Sequence, residues 1–382
     1  MTSSTRAASD AGRRAPLHQP SRRRAAAPLA IWLGLITLYF VWGSTYLGIR
    51  ISVESIPAFL MGAVRFLIAG GLLLAWSAAR DGRDALRINR RELRDSFVVG
   101  TALLGGGMGM VALAEQTVPS GITALLIALM PAWVAVLGRV FFGERLPRIV
   151  LLGIVVGLVG VAILVAPSGG RLTLDPGGLA AVLFSPISWA SGSLYASHRA
   201  RLPNRPLVAT ALQMVSGAVA LGAASVATGE LGRFSPAAVS TDSAWALLYL
   251  VVVGSLVGFT TYVWLLRVAP LSKIATYAYV NPVVAFILGA LLLGEPISPR
   301  TVVAAVVIVA AVALIVTARS RSRRDERTED VNGEATAEAS AGDSRNGRAG
   351  EPSPLTDRPA AFRAPPVRPR PGPSARPDAP GA

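Results

Sequence analysis

Two stretches of this 382-residue chain decide how it is read: PSGITALLIALMPAWVAVLGRVFFGE at residues 119–144 and PLSKIATYAYVNPVVAFILGALLLGE at residues 270–295. At a constant offset of 151 residues they align without a gap. Pro119 answers Pro270, Ala124 answers Ala275, Pro131 answers Pro282, Leu137-Gly138 answers Leu288-Gly289, and Gly143-Glu144 answers Gly294-Glu295. Prolines and a Gly-Glu pair recurring at the same depth of two apolar runs mark one unit used twice. Further upstream the pairing is weaker, with Trp42 against Trp189 and Pro57 against Pro206. Each quoted stretch is long enough to cross the ~30 Å hydrocarbon core of a bilayer, which takes ~20 apolar residues as a helix.

The same criterion finds ten such runs, at roughly 29–49, 57–79, 96–114, 120–142, 149–167, 177–197, 206–228, 244–266, 271–293 and 299–318. The first is too long, and too closely followed by others, for a cleaved signal peptide. The repeat therefore contains five spans. Because five is odd, the second copy enters the membrane from the opposite side. The sequence predicts an all-α integral membrane protein with ten transmembrane helices arranged as two inverted five-helix repeats, 29–167 and 177–318. Inverted repeats of this kind build secondary transporters, whose substrate site lies near the midplane where the halves meet.

Composition agrees. Hydrophobic residues make up 52% of the chain and charged ones only 15%, against about 25% charged in ordinary soluble domains. The net charge of +15 is not a nucleic-acid footprint, because the basic residues cluster between apolar runs. Six arginines fall in the amino-terminal tail and six more in 80–95, whereas the loops on the opposite side hold only Arg50, Arg171, Arg233 and Arg300. By the positive-inside rule both termini are expected to be cytoplasmic. The tails, 1–28 and 319–382, are rich in Arg, and the second also in Pro; with little to bury, both are expected to be disordered.

Absences narrow the chemistry. The chain has no Cys, and its only histidines are His18 and His198. Thiolate and His-based metal centres and a Ser-His-Asp triad are therefore not expected. There is no phosphate-cradling Gly-x-x-x-x-Gly-Lys-[Ser/Thr] motif either. No metal or cofactor is predicted. The expected partners are the lipid bilayer and a small-molecule substrate, with protons as coupling ion if transport is proton-driven; the oligomeric state stays open. A lipid-modifying membrane enzyme, or a non-transporting scaffold or sensor, is the alternative.

The residues WGSTY (42–46), AVRFLIAGGLLL (63–74), VPSGITALLIALMPAWVAVLGRVFFGE (118–144) and APLSKIATYAYVNPVVAFILGALLLGE (269–295) resemble the EamA-type permeases of the drug/metabolite transporter superfamily. The resemblance covers about residues 29–318. It implies the ten-helix inverted-repeat fold and export or exchange of small polar or amphipathic solutes such as amino acids, metabolites or drugs, without naming the cargo.

Arg65 stands out among the candidate site residues. It lies inside the second span, eight residues beyond Pro57, or ~12 Å along a helix. A charge at that depth usually faces a cavity or a partner. Two readings are open: an anchor for a substrate carboxylate or phosphate, or a structural pair with helix carbonyls or Glu115. Glu115, at the end of the third span, is the proton-coupling candidate, against a plain solvated helix end. Trp42, Ser44, Thr45 and Tyr46, then Ser188, Trp189, Ser191, Ser193 and Tyr195, are expected cavity walls, with Tyr277, Tyr279 and Asn281 supplying phenol and amide groups. For each hydroxyl, helix packing is the competing reading, as it is for the glycines 105–107 and 109. Pro131 and Pro282 are expected helix breaks near the site. Glu144 and Glu295 read as helix-turn punctuation capping the next span, or as gating residues.

Overall fold

Helix ends show why each span begins where it does. The computed structural model describes residues 28–144, 146–165 and 175–319; apart from helical Pro28 and Arg319, the two tails expected from the sequence lie outside the described residues. The helices are α1 (Pro28–Ser52), α2 (Ala58–Asp81), α3 (Arg90–Ala114), α4 (Ser120–Phe142), α5 (Arg148–Val165), α6 (Pro176–His198), α7 (Pro206–Ala227), α8 (Thr241–Val268), α9 (Tyr277–Leu293) and α10 (Pro299–Arg319). All except the 17-residue α9 are long and apolar enough to cross a membrane. Asn89 and Glu92 form a reciprocal capping box at the start of α3, and Asp175 caps α6 through the Gly178 amide at 2.7 Å. Pro176 and Pro206 occupy first-turn positions of α6 and α7, where a missing N–H costs nothing.

Two departures from the expected spans carry information. The run at 271–293 is not one helix: a single turn, Leu271–Ile274, is followed by a break at Ala275 and Thr276 before α9 starts. The Thr276 hydroxyl donates back to the Lys273 carbonyl at 2.5 Å, competing with the helical ladder. Likewise α4 breaks at Ala128 and Leu129. Pro131 has no N–H to return to Ile127, so the second piece restarts at Met130 with Pro131 in its first turn. Pro282, its mirror, stays inside α9. The mirrored prolines thus shape their helices differently.

The third helix of each half contains eight residues of π-helix, Thr101–Met108 in α3 and Leu250–Val257 in α8. The two segments correspond under the repeat. Nothing in the hydrophobic pattern announces them. In α3 the widened turn is held by α6: Ser185 Oγ donates to the Gly107 carbonyl at 2.9 Å and Ser188 Oγ to the Ala102 carbonyl at 2.8 Å.

The halves interlock. The most extensive contacts pair α2 with α7, α3 with α6 and α7, α1 with α9 and α8, and α4 with α6 and α9, each joining one half to the other. α5 packs through a small-residue stripe: a side chain at Gly153 or Gly160 would collide with Ile315 or Ile308 of α10, and one at Gly157 with Leu129 of α4. Such stripes let membrane helices approach closely. Outward-facing side chains such as Leu72, Trp76, Leu152, Val155, Leu291 and Val306 are exposed and apolar, as a lipid-facing surface requires. This is a multi-pass membrane protein of two inverted five-helix repeats. The end of the bundle where α1 begins, rich in arginine, is called the basic end below, and the other the far end.

Candidate functional site

Near the middle of the bundle lies a cavity of about 100 Å³, a size suited to a small solute. Seven helices line it: α1 through Trp42, Thr45 and Tyr46, α2 through Arg65 and Phe66, α3 through Met108 and Val111, α4 through Ile127 and Met130, α6 through Ser185, Pro186 and Trp189, α8 through Phe259, and α9 through Tyr277 and Asn281. The lining straddles the repeat symmetry. Trp42 and its counterpart Trp189 both line it, and so do Met130 and its mirror Asn281, so the mirrored prolines each deliver the residue before them to the wall.

One wall is aromatic. The Trp42 ring lies 5.5 Å from Phe259 and 5.1 Å from both Tyr262 and Tyr277, the last edge-to-face at 87°. Facing it are few polar groups. Asn281 is buried and its Oδ1 has no hydrogen-bond partner among the described residues. Arg65 is 3% exposed and uses Nε to donate to Ser255 Oγ at 3.0 Å. Its guanidinium carbon lies 4.9 Å from the Phe66 ring centroid. No other nitrogen of that guanidinium is hydrogen-bonded among the described residues. The site thus offers a forked donor, an unpaired amide acceptor and broad apolar faces, a set that orients a small amphipathic molecule.

Of the residues expected to form the site, the structure brings together Trp42, Thr45, Tyr46, Arg65, Trp189, Tyr277 and Asn281. Ser44 does not line the cavity: its hydroxyl donates to the Phe40 carbonyl at 2.5 Å and lies 2.5 Å from the Tyr249 hydroxyl. Ser193 is half-buried and also outside the lining. Ser188 is occupied with α3, Ser191 donates to the Ile187 carbonyl, and Tyr195 donates to Asp95 at 3.0 Å near the basic end. Tyr279 is not part of the lining. Ser44, Ser188 and Ser191 donate to carbonyls because a membrane helix surface leaves a hydroxyl no water, and a neighbouring carbonyl is the nearest partner.

Glu115 is not at a solvated end. It is fully buried, and neither carboxylate oxygen has a hydrogen-bond partner among the described residues. The Arg50 side chain donates to its backbone carbonyl. Among the described residues no ion pair joins Arg65 to Glu115, so Arg65 is not locked in that structural bridge.

The Gly-Glu pairs share one geometry. Gly143 and Gly294 adopt left-handed φ of 69° and 62°, ending α4 and α9, and the following amides bond back to Gly138 and Gly289 at 3.3 and 3.1 Å, the double turn expected of such a C-cap. Each carboxylate then lies over that glycine, where a Cβ would stand 2.6 or 2.5 Å from it. Glu295 does not cap the span that follows it. Its carboxylate accepts from the Ser120 amide and hydroxyl at 2.7 and 2.8 Å and the Gly121 amide at 3.1 Å, capping α4 of the other half at the far end. Glu144, at the basic end, instead bonds Arg319 at 2.8 Å and faces His198 at 3.5 Å.

Sequence reasoning missed several neighbours. Pro186, inside α6, was detectable as a proline within an apolar run. Met108 and Phe259 gave no signal beyond their place in apolar runs. Glu230, whose carboxylate caps α2 through the Phe59 and Leu60 amides at 3.1 and 3.0 Å, and Ser255 gave no signal. Among the described residues no cluster of His, Asp or Glu could hold a metal ion.

The family model described as the EamA-like transporter family matches residues 29–166 and again 176–317. The uncharacterized inner membrane transporter YedA of Escherichia coli (strain K12) is 41% identical over 288 residues, covering 75% of this chain and 90% of the relative. A probable amino-acid metabolite efflux pump of Salmonella typhimurium is 25% identical, over 71% of this chain and 89% of the relative. A solved crystal structure, 22% identical, superposes with a TM-score of 0.54 over 78% of this chain and 99% of its own, a likeness of fold alone. The doubled family match falls on the two halves that the repeat defines, and this chain belongs to the EamA-like transporter family.

Proposed function

We propose that the chain is a secondary transporter that exports a small amphipathic solute bearing an anionic group, by alternating access to the central cavity. The observation that carries this reading is the break in symmetry at Arg65. At the offset of 149 that pairs Pro57 with Pro206, Arg65 falls on Met214, a fully buried apolar residue. The scaffold does not need a charge at that depth, so the cavity does. Arg65 then takes the anionic end of the solute, Asn281 Oδ1 takes a donor such as an ammonium, and Trp42, Trp189 and Tyr277 cover its apolar part. Export is supported by the similarity to the probable amino-acid metabolite efflux pump of Salmonella typhimurium.

The gates follow from the Gly-Glu pairs. Glu295 fastens α9 to α4 at the far end, and alternation would release it while the basic end closes. Pro131 and Pro282, next to the cavity residues Met130 and Asn281, would let the second piece of α4 and α9 tilt about their bends. Glu115 would take up the coupling proton: an ionised carboxyl buried without hydrogen bonds is costly, and protonation removes that cost. The protein would sit in the cytoplasmic membrane with both termini inside, since the basic loops gather at one end.

Reconstitution tests this directly. Liposomes loaded with a mixture of unlabelled L-amino acids should accumulate a labelled carboxylate-bearing member by counterflow, with a response to an imposed pH gradient. Arg65→Lys keeps the charge but loses the fork and should weaken that transport strongly, Arg65→Gln more so. Normal counterflow by Arg65→Gln, with only its thermal stability lowered, would make Arg65 structural and remove the anionic-substrate reading.

A further inference from the structure

We propose that Ser255 is a positioning residue for the substrate, acting through Arg65, from within the π segment of α8. The inference rests on the reading of Arg65 as the anion anchor. Ser255 is fully buried in the middle of a membrane protein, and its hydroxyl oxygen accepts from Arg65 Nε at 3.0 Å. The residue before it is a glycine for a related reason: a Cβ at Gly254 would stand 3.2 Å from Nη2 and 3.0 Å from the Thr45 methyl. The guanidinium therefore lies against bare backbone on one side and near the Phe66 ring on the other. With Nε tied back to α8, the forked pair of terminal nitrogens is what remains for a ligand, and a carboxylate binds that fork through two parallel hydrogen bonds.

The mirrored π segment lacks this contact: at the offset of 149 Ser255 answers Gly106 and Arg65 answers Met214. In α3 the widened turn is stapled to α6 by hydroxyl-to-carbonyl bonds from Ser185 and Ser188. The α8 segment instead meets α2 through Arg65, which lines the cavity. A π segment inserts an extra residue per turn and turns side chains away from their α-helical direction; such segments are frequent at functional sites. Here it aims the Ser255 hydroxyl at α2. One consequence is that an anion drawn onto Arg65 is mechanically tied to α8, whereas α3 stays fastened to α6.

Binding of two isosteric probes by the purified protein tests the proposal: benzoate, which carries the anion, and benzamide, which does not. Wild type should prefer benzoate. Arg65→Gln should lose that preference. Ser255→Ala should weaken benzoate roughly tenfold, the size of one charge-assisted hydrogen bond, and leave benzamide unchanged. Ser255→Cys, close in shape with a far weaker acceptor, gives a second variant should the alanine form fail to accumulate, and should behave the same way. Unchanged benzoate affinity in the Ser255 variants while Arg65→Gln loses it overturns the positioning role alone. Equal losses for both probes make Ser255 a packing residue and overturn it too. If wild type shows no preference, or Arg65→Gln keeps it, the anion-anchor reading falls and takes this proposal with it.

Discussion

Removing the Glu295 carboxylate should open the far end of the bundle. In the structure that carboxylate accepts two backbone amides, from Ser120 at 2.7 Å and Gly121 at 3.1 Å, and the Ser120 hydroxyl at 2.8 Å. The Ser120 hydroxyl can find another acceptor, but the two amides at a helix start cannot easily do so. Hydrogen bonds to a charged group contribute about 1.5–3 kcal/mol each and are not additive. A negative charge at a helix N-terminus adds roughly 0.3–1 kcal/mol. Together the loss for Glu295→Ala is about 3 kcal/mol, which corresponds to roughly a hundredfold shift between the closed and open far end. Glu295→Gln keeps one acceptor oxygen and should fall between.

Because the chain has no Cys, a single Ile127→Cys on the cavity wall reports which side the cavity faces. With an impermeant maleimide, Glu295→Ala should raise the labelling rate from the side where α4 begins and lower it from the other side, compared in right-side-out and inverted vesicles. Glu144→Ala should not raise labelling from the α4 side, since its carboxylate serves Arg319 and His198 at the other end. An unchanged ratio in Glu295→Ala, with the melting temperature lowered, would show that the carboxylate holds α4 together without gating it.

Other consequences are open to simpler measurements. Glu115→Gln should flatten the pH dependence of transport while leaving the protein abundant in membranes; a profile identical to wild type would remove Glu115 from coupling. Single cysteines at the exposed positions Ser197 and Ser235 should label from opposite faces, with Ser235→Cys reactive in intact cells, and the reverse pattern would invert the assigned orientation. Deleting residues 329–382 should leave folding and transport intact, as their composition predicts; a loss of transport at unchanged abundance would give that segment a function.

The sequence alone determined the architecture, because the membrane leaves so few choices. A backbone in hydrocarbon must satisfy its own hydrogen bonds, so ten apolar runs had to be helices, and the repeat of Pro, Gly and Gly-Glu at offset 151 made the halves inverted. Arg65, Trp42, Trp189, Tyr277 and Asn281 could be picked out for the same reason: polar and aromatic side chains inside lipid are expensive or conspicuous. Tertiary structure decided what periodicity does not encode. Which neighbour a hydroxyl meets depends on which helix lies across from it: Ser44, Ser185 and Ser188 donate to carbonyls and Tyr195 to Asp95, although Ser185, next to Pro186, also lines the cavity. A π segment preserves the apolar run that hides it, and it took the three-dimensional fold to place Ser255 against Arg65. The partners of Glu295 lie 175 and 174 residues away in the chain. A helix start is capped by whatever the packing of the other half brings to it, and no local sequence rule reaches that far.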